Sequence, residues 1–124
     1  MRVFKSKEFT RFARRERIAD KALCEAIARA ERGLIDADLG NGLIKQRVGR
    51  PGQGRSGGFR TLIVYRASRR SVFVYGFSKS ERDNIPSGEL TFWRKVAAAF
   101  LAMDEATIRA ATADGEITEV LCDD

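Results

Sequence analysis

The chain is organised around residues 44–60, which read IKQRVGRPGQGRSGGFR. Apolar and polar residues alternate at its start, so Lys45 and Arg47 share one face of a predicted strand. The stretch holds five basic residues, five glycines and no acid, and it runs into the β-forming sequence FRTLIVY at residues 59–65. We therefore predict two strands joined by a flexible ten-residue loop, Gly49–Gly58, with cations arranged to hold an extended polyanion.

Charge is distributed unevenly along the chain. The 124 residues are 44% hydrophobic and 32% charged with a net charge of +6, which indicates a single folded domain spanning residues 1–124. Residues 41–82 contain ten Lys or Arg against Glu81 alone, a net of +9, whereas residues 83–124 contain three basic and nine acidic residues, a net of −6. A basic middle favours nucleic-acid contact. A solvated surface without a ligand is the alternative.

The two cysteines, Cys24 and Cys122, are far apart, and the chain has no histidine. This ligand count excludes a structural zinc site, and one widely spaced pair does not indicate a disulfide framework. We interpret both as free thiols in a reducing compartment. No apolar run is long enough to span a bilayer and the N-terminus lacks a signal-peptide core, so we expect a cytoplasmic protein without membrane contact.

Apolar spacing predicts an α+β fold with two N-terminal helices on a small antiparallel sheet, followed by C-terminal helices. The first helix is Lys7–Arg17 with Ser6 as its N-cap, and the second is Lys21–Arg32 with Asp20 as its N-cap. Residues 34–42 are predicted to form a loop. The remaining predicted elements are three strands at 43–48, 59–66 and 71–77, of which the last two are expected to be central, a helix at 88–103, a short helix capped by Asp104, and an edge strand at 117–121.

The glycines at 52, 54 and 57 match the spacing G-x-G-x-x-G. A dinucleotide site requires this motif to open a helix, so that the helix N-terminus meets the pyrophosphate. Here the motif opens a predicted strand, which argues against a nucleotide cofactor. We expect no cofactor and no metal.

Without histidine, catalysis by a Ser-His-Asp or Cys-His arrangement is impossible in its usual form. Cleavage of RNA can instead use the neighbouring 2′-OH as its nucleophile. A lysine crowded by cations releases its proton readily, which makes Lys45 a candidate base, and Arg47 suits stabilisation of the charged phosphorane. The residues alone leave phosphate binding without catalysis as the alternative.

The sequence resembles the RelE/HigB family of type II toxins, in the RelE/ParE superfamily. The resemblance covers nearly the whole chain, and three segments carry it: Gly42–Val48, Pro51–Arg60 and Tyr75–Ile85. It implies a compact RelE-like fold and metal-independent cleavage of mRNA on the ribosome. It also implies a cognate antitoxin, often a helix-turn-helix HigA-like protein. The toxin would then contact DNA only indirectly, through this antitoxin.

Matched by position, the resemblance implies catalytic roles for Lys45, Arg47, Arg60, Lys79 and Arg82. We predict further RNA contacts by Arg50, Arg55, Arg66 and Phe59. The chain departs from better-known relatives in having Ser80 where they place an arginine, and in having no tyrosine after Tyr75. A ParE-like inhibitor of DNA gyrase and a degenerate member that only binds RNA are the alternatives.

Overall fold

The computed structural model describes residues 1–50, 54–66 and 69–122, and of residues 54–57 the backbone alone. The elements within these ranges are β1 (Arg2–Ser6), α1 (Lys7–Arg15), α2 (Asp20–Glu31), β2 (Ala37–Gly40), β3 (Leu43–Arg50), β4 (Gly54–Arg66), β5 (Arg70–Ser78), α3 (Ser87–Leu101), α4 (Glu105–Ala113) and β6 (Ile117–Val120). The strands form one mixed sheet in the order β2-β3-β4-β5-β1-β6. The predicted α+β class is confirmed, and β4 and β5 are central as expected.

Strand β1 makes the sheet mixed, so the prediction of a purely antiparallel sheet is wrong. It lies parallel to β5, with Arg2 beside Arg70, and antiparallel to β6, with Val3 beside Val120. Parallel strands are joined by long connections rather than by tight turns. The sequence around β1 therefore carries no local signal of its partner.

Each face of the sheet has its own core. Helices α1 and α2 cover one face, where Phe9, Phe12 and Leu23 pack against buried side chains of the strands. Helix α3 and helix α4 cover the opposite face, with Trp93 and Ile108 in the second core. The N-terminal and C-terminal helices thus lie on opposite sides of the sheet. Among the described residues, no helix is both long and apolar enough to cross a membrane.

Two segments predicted as loops are partly strands. Residues 37–40 form β2, which pairs with β3. The predicted flexible loop Gly49–Gly58 is wrong in its extent, because β3 continues to Arg50, β4 begins at Gly54, and these two residues pair across a bulge; residues 51–53 lie outside the described residues. A Cβ on Gly58 would collide with the carbonyl oxygen of Val48. This glycine is therefore required by close strand approach, not by loop flexibility.

The helix caps agree with the sequence at two positions and differ at one. Ser6 caps α1 by accepting from the N–H of Phe9, and Asp104 caps α4 by accepting from the N–H of Thr107 at 2.8 Å. Asp20 is not the cap of α2. It lies inside the first turn, where its carboxylate binds the ammonium of Lys5 at 3.0 Å. A tertiary ion pair has here replaced a local cap.

Cys24 and Cys122 form a disulfide, with Cα atoms 5.6 Å apart, so their interpretation as free thiols is wrong. The two residues are separated by 98 positions in sequence. They meet because β6 returns to pair with β1 at the side of the sheet that α2 covers. Spacing along the chain gives no sign of this proximity.

Candidate nucleic-acid interface

Two arginines face each other across neighbouring strands. Arg47 of β3 is paired in register with Arg60 of β4. Lys45 lies two residues before Arg47 on the same face of β3, and the strand rise places the two residues about 7 Å apart. Side chains paired in this way have Cβ atoms about 5 Å apart, and like charges so placed repel each other. The structure therefore concentrates positive charge on one small area of the sheet.

The charged groups of this pair are partly enclosed and incompletely satisfied. The Nη1 of Arg60 is a buried atom without a hydrogen-bond partner among the described residues. The Nε of Arg47 is also buried and makes no well-aligned hydrogen bond there, but it lies 3.4 Å from a carboxylate oxygen of Asp36. Buried polar atoms nearly always have a partner, which can be a ligand. Guanidinium groups match the oxygens of a phosphate especially well. The facing guanidinium groups are therefore chemically suited to bind an anion.

Two polar side chains tie strand β3 to the α2 side, one from β3 and one from α2. The buried Gln46 donates to the carbonyl oxygens of Ala26 at 3.0 Å and Leu34 at 2.9 Å. Arg29 pairs with Glu25 and donates to the carbonyl oxygen of Arg47. These bonds fix the backbone beneath Lys45 and Arg47, so that both side chains project from a rigid strand.

Asp36 is the acidic partner that sequence reasoning missed. Its carboxylate lies 3.9 Å from the Nζ of Lys45 and 3.4 Å from the Nε of Arg47. Its own N–H donates to the carbonyl oxygen of Lys45 at 3.1 Å, which ties it to β3. The predicted role of Lys45 as a base assumed that only cations surround it. The structure places a carboxylate beside it as well. The signal available was an aspartate shortly before a basic strand.

A second cluster borders the arginine pair on β5. Arg82 donates from Nη1 to the hydroxyl of Tyr75 at 3.0 Å and forms an ion pair from Nη2 to Glu89 at 2.9 Å. The Tyr75 ring stacks on Trp93 with centroids 4.9 Å apart. Arg82 also lies over the ring of Phe77, which is the register partner of Arg60. The structure thus brings Arg82 next to the site but engages its guanidinium with α3.

The ion pair between Arg82 and Glu89 predicts a pH dependence of stability. The hydrogen bond from Arg82 lowers the pKa of Glu89, because it favours the carboxylate. A depressed folded pKa means that the contribution to stability is present above the unfolded value of about 4.3 and is lost as the pH falls through the folded value. A Glu89→Gln variant should therefore melt below the wild type at pH 7, and the difference should vanish at strongly acidic pH.

Thermal melts across this pH range measure that difference. Glu116→Gln, which changes an exposed carboxylate without an ion pair in the described ranges, is the matched control. A difference between Glu89→Gln and wild type that stayed constant with pH would contradict the assignment.

Two predicted RNA contacts lie on the opposite face of the sheet. Phe59 is 1% exposed, and the guanidinium of Arg50 lies 4.5 Å from its ring centroid. The edge of the same ring meets Phe12 of α1. Because its ring is enclosed, Phe59 offers no surface to a nucleobase and belongs to the core. Arg50 projects on the α2 side, away from Arg47 and Arg60.

The remaining predicted residues are scattered. Lys79 and Ser80 are exposed in the turn after β5. Arg66 is exposed at the far end of β4, six residues from Arg60 and hence about 20 Å away along the strand. Arg55 belongs to β4, but its side chain lies outside the described part. The structure therefore gathers Lys45, Arg47, Arg60 and Arg82 and leaves Arg66 apart.

A protein-family model matches the chain over residues 1–120. The family is described as the RelE toxin of the RelE/RelB toxin–antitoxin system. No curated protein matches the chain.

Proposed function

Because the chain belongs to the RelE toxin family, the toxin side of a toxin–antitoxin pair, we propose that it stops translation by cutting mRNA on the ribosome. The observation that supports this reaction is the facing pair of Arg47 and Arg60, in which the buried Nη1 of Arg60 has no partner in the described ranges and Arg47 is ion-paired with Asp36. A phosphodiester that bridges the two arginines would give Arg60 a partner and Arg47 a second anion. The pair then stabilises the additional negative charge of the transition state.

The proposed reaction uses the substrate's own 2′-OH. The 2′-oxygen forms a bond to phosphorus, the bond from phosphorus to the 5′-oxygen breaks, and the products are a 2′,3′-cyclic phosphate and a 5′-hydroxyl. Arg47 and Arg60 stabilise the phosphorane between these steps. A proton must leave the 2′-OH and another must reach the departing 5′-oxygen, so an acceptor and a donor are both needed.

Among the described residues, Lys45 and Asp36 lie beside Arg47 and are able to move these protons. The Nζ of Lys45 lies 3.9 Å from the carboxylate of Asp36, so an amine that can donate a proton and a carboxylate that can accept one are neighbours. We therefore assign proton acceptance to Asp36 and proton donation to Lys45. Arg82 acts as a positioning residue through Tyr75 and Glu89, and the exposed Lys79 contacts a neighbouring phosphate.

The partner expected from the family is an antitoxin. We propose a helix-turn-helix HigA-like protein encoded beside the toxin. Co-purification of the neighbouring gene product, with relief of growth inhibition on its co-expression, would support this pairing. If cells that express the protein without an antitoxin grow normally, the protein is not an active toxin in those cells.

The chemistry of the 3′ ends tests the proposed reaction. Purified protein is incubated with programmed ribosomes, with magnesium retained and transition metals chelated, and the RNA fragments are analysed at their ends. We expect discrete cuts that leave a 2′,3′-cyclic phosphate. Free 3′-hydroxyl ends, or activity only after manganese or zinc is added, would show a metal-dependent hydrolysis instead.

The same preparation separates the alternative functions. Intact mRNA together with trapped gyrase–DNA complexes would indicate a ParE-like inhibitor. Intact mRNA with ribosome binding retained would indicate a protein that only binds RNA.

A further inference from the structure

Helix α1 carries a second cationic surface, which we call the α1 stripe: Lys7, Arg11, Arg14 and Arg15, all of them exposed. At 3.6 residues per turn, these four positions fall within an arc of about 100° around the helix axis. The buried residues of α1 point the other way, into the core against the sheet. The stripe is therefore presented outward by a helix whose opposite side is fixed.

The α1 stripe and the arginine pair occupy opposite faces at the same end of the sheet. The ring of Phe12 sits where a side chain on Gly76 would project, and it meets Phe59 edge-on with centroids 5.5 Å apart. Arg60, next to Phe59 in the chain, points to the other face. This end of the protein consequently shows positive charge on both sides of one sheet.

The composition of the stripe favours a polyanion over a protein. Binding surfaces for proteins use arginines too, but they usually place them around aromatic or apolar anchors. The exposed large hydrophobic residues in the described part of the chain include none on α1. Contact with nucleic acid needs only cations that displace counterions from phosphates. In the same ranges, Arg15 is the one member with an ion pair, to Glu16 at 3.3 Å.

Two carboxylates border the stripe without forming an ion pair with it in the described ranges. Glu8 and Glu81 line a cavity of about 260 Å³ together with Arg11 and Arg15. Glu81 is occupied by its own loop, since it accepts from the N–H of Ser78 at 3.1 Å and from its hydroxyl at 3.0 Å. Arg14 lies outside this cavity lining.

We propose that the α1 stripe binds the phosphate backbone of a folded RNA, while the opposite face of the sheet holds the RNA strand to be cut. Taking the ribosome as the source of that folded RNA rests on the proposed function. The protein is then inserted between two RNA surfaces. An enzyme that binds only its substrate would need cations on one face of the sheet, whereas this protein carries them on both faces.

The double variant Arg11→Ala/Arg14→Ala tests the α1 stripe. Affinity for purified ribosomes is measured by sedimentation at increasing salt, and the slope of log affinity against log salt should flatten by about two units, one per phosphate contact removed. Over a fourfold rise in salt, the wild type should therefore lose roughly sixteen-fold more affinity than the variant. Cleavage of a short unstructured RNA, if the wild type performs it, should be unchanged.

Lys95→Ala/Arg109→Ala is the matched control, because it removes two exposed cations from α3 and α4 and lowers the net charge equally. Its slope should equal that of the wild type. A wild-type slope in the α1 variant, or the same flattening in the control, overturns the proposal. So does a variant that keeps ribosome binding but no longer binds the antitoxin. A flattened slope in a protein that cuts no RNA supports the α1 stripe and refutes the proposed nuclease.

Discussion

Replacing Arg60 by alanine should lower the rate of mRNA cleavage by about a hundred- to a thousand-fold, the usual effect of removing one donor from a preorganised anion site. The melting temperature should stay the same or rise. Arg60 faces Arg47 across the strands, and its buried Nη1 has no partner in the described ranges. Its removal therefore relieves a repulsion in the free protein. Cleavage assays on programmed ribosomes and thermal melts measure the two effects.

Arg66→Ala is the matched control for this variant. It also removes an arginine side chain from strand β4, but at a position about 20 Å from Arg60. We expect cleavage within a few fold of the wild type. Equal losses in both variants would mean that strand β4 contributes only general positive charge. A large fall in melting temperature on Arg60→Ala would mean that Arg60 supports the fold instead of the reaction.

Removing the disulfide with the pair Cys24→Ser/Cys122→Ser should destabilise the protein substantially. The bond closes a loop of 98 residues, and in the chain-entropy model a loop of this size stabilises the fold by about 4–5 kcal/mol. For a domain of this size, that corresponds to a melting temperature lower by roughly 10–20 °C. Thermal unfolding with and without reductant measures the effect.

The reduced wild type should have the same melting temperature as the serine variant. Reductant should not change the melting temperature of that variant. Cleavage measured well below either melting temperature should be unchanged, because Lys45, Arg47 and Arg60 lie on β3 and β4, and neither strand carries a cysteine of the bond. Identical melting of oxidised and reduced wild type would contradict a stabilising role for this bond.

Elements with a local signal were predictable from the sequence. Helix α1 follows from the cap at Ser6 and the apolar pair Phe9 and Phe12, and α4 follows from the cap at Asp104. The order of the three central strands follows from alternating or continuous apolar runs separated by short connections. In each case, the interactions that form the element lie within a few residues of each other.

Elements formed between distant segments could not be predicted. The pairing of β1 with β5 and the disulfide join parts of the chain that share no local pattern. The short strand β2 lacks an apolar run, because its sequence is ADLG, and only its pairing with β3 makes it a strand. Long-range pairing overrode local propensity at all three places.

The candidate site was predictable in composition but not in arrangement. The alternation around Lys45 and Arg47 placed both on one face, and β3 bears this out. That Arg60 faces Arg47 depends on a register set by the bulge after Val48, which no spacing rule supplies. Asp36 was missed because it precedes β2 in a segment predicted as loop.

The position of β1 between β5 and β6 bears on how the toxin is completed as it is synthesised. β1 leaves the ribosome before either of its neighbours, yet Arg2 pairs with Arg70 and Val3 with Val120. Pairings between such distant residues form late, because the chain between them must first be ordered. A nascent toxin thus cannot close its sheet until nearly all of these residues have emerged, so the finished fold is reached when synthesis is almost over.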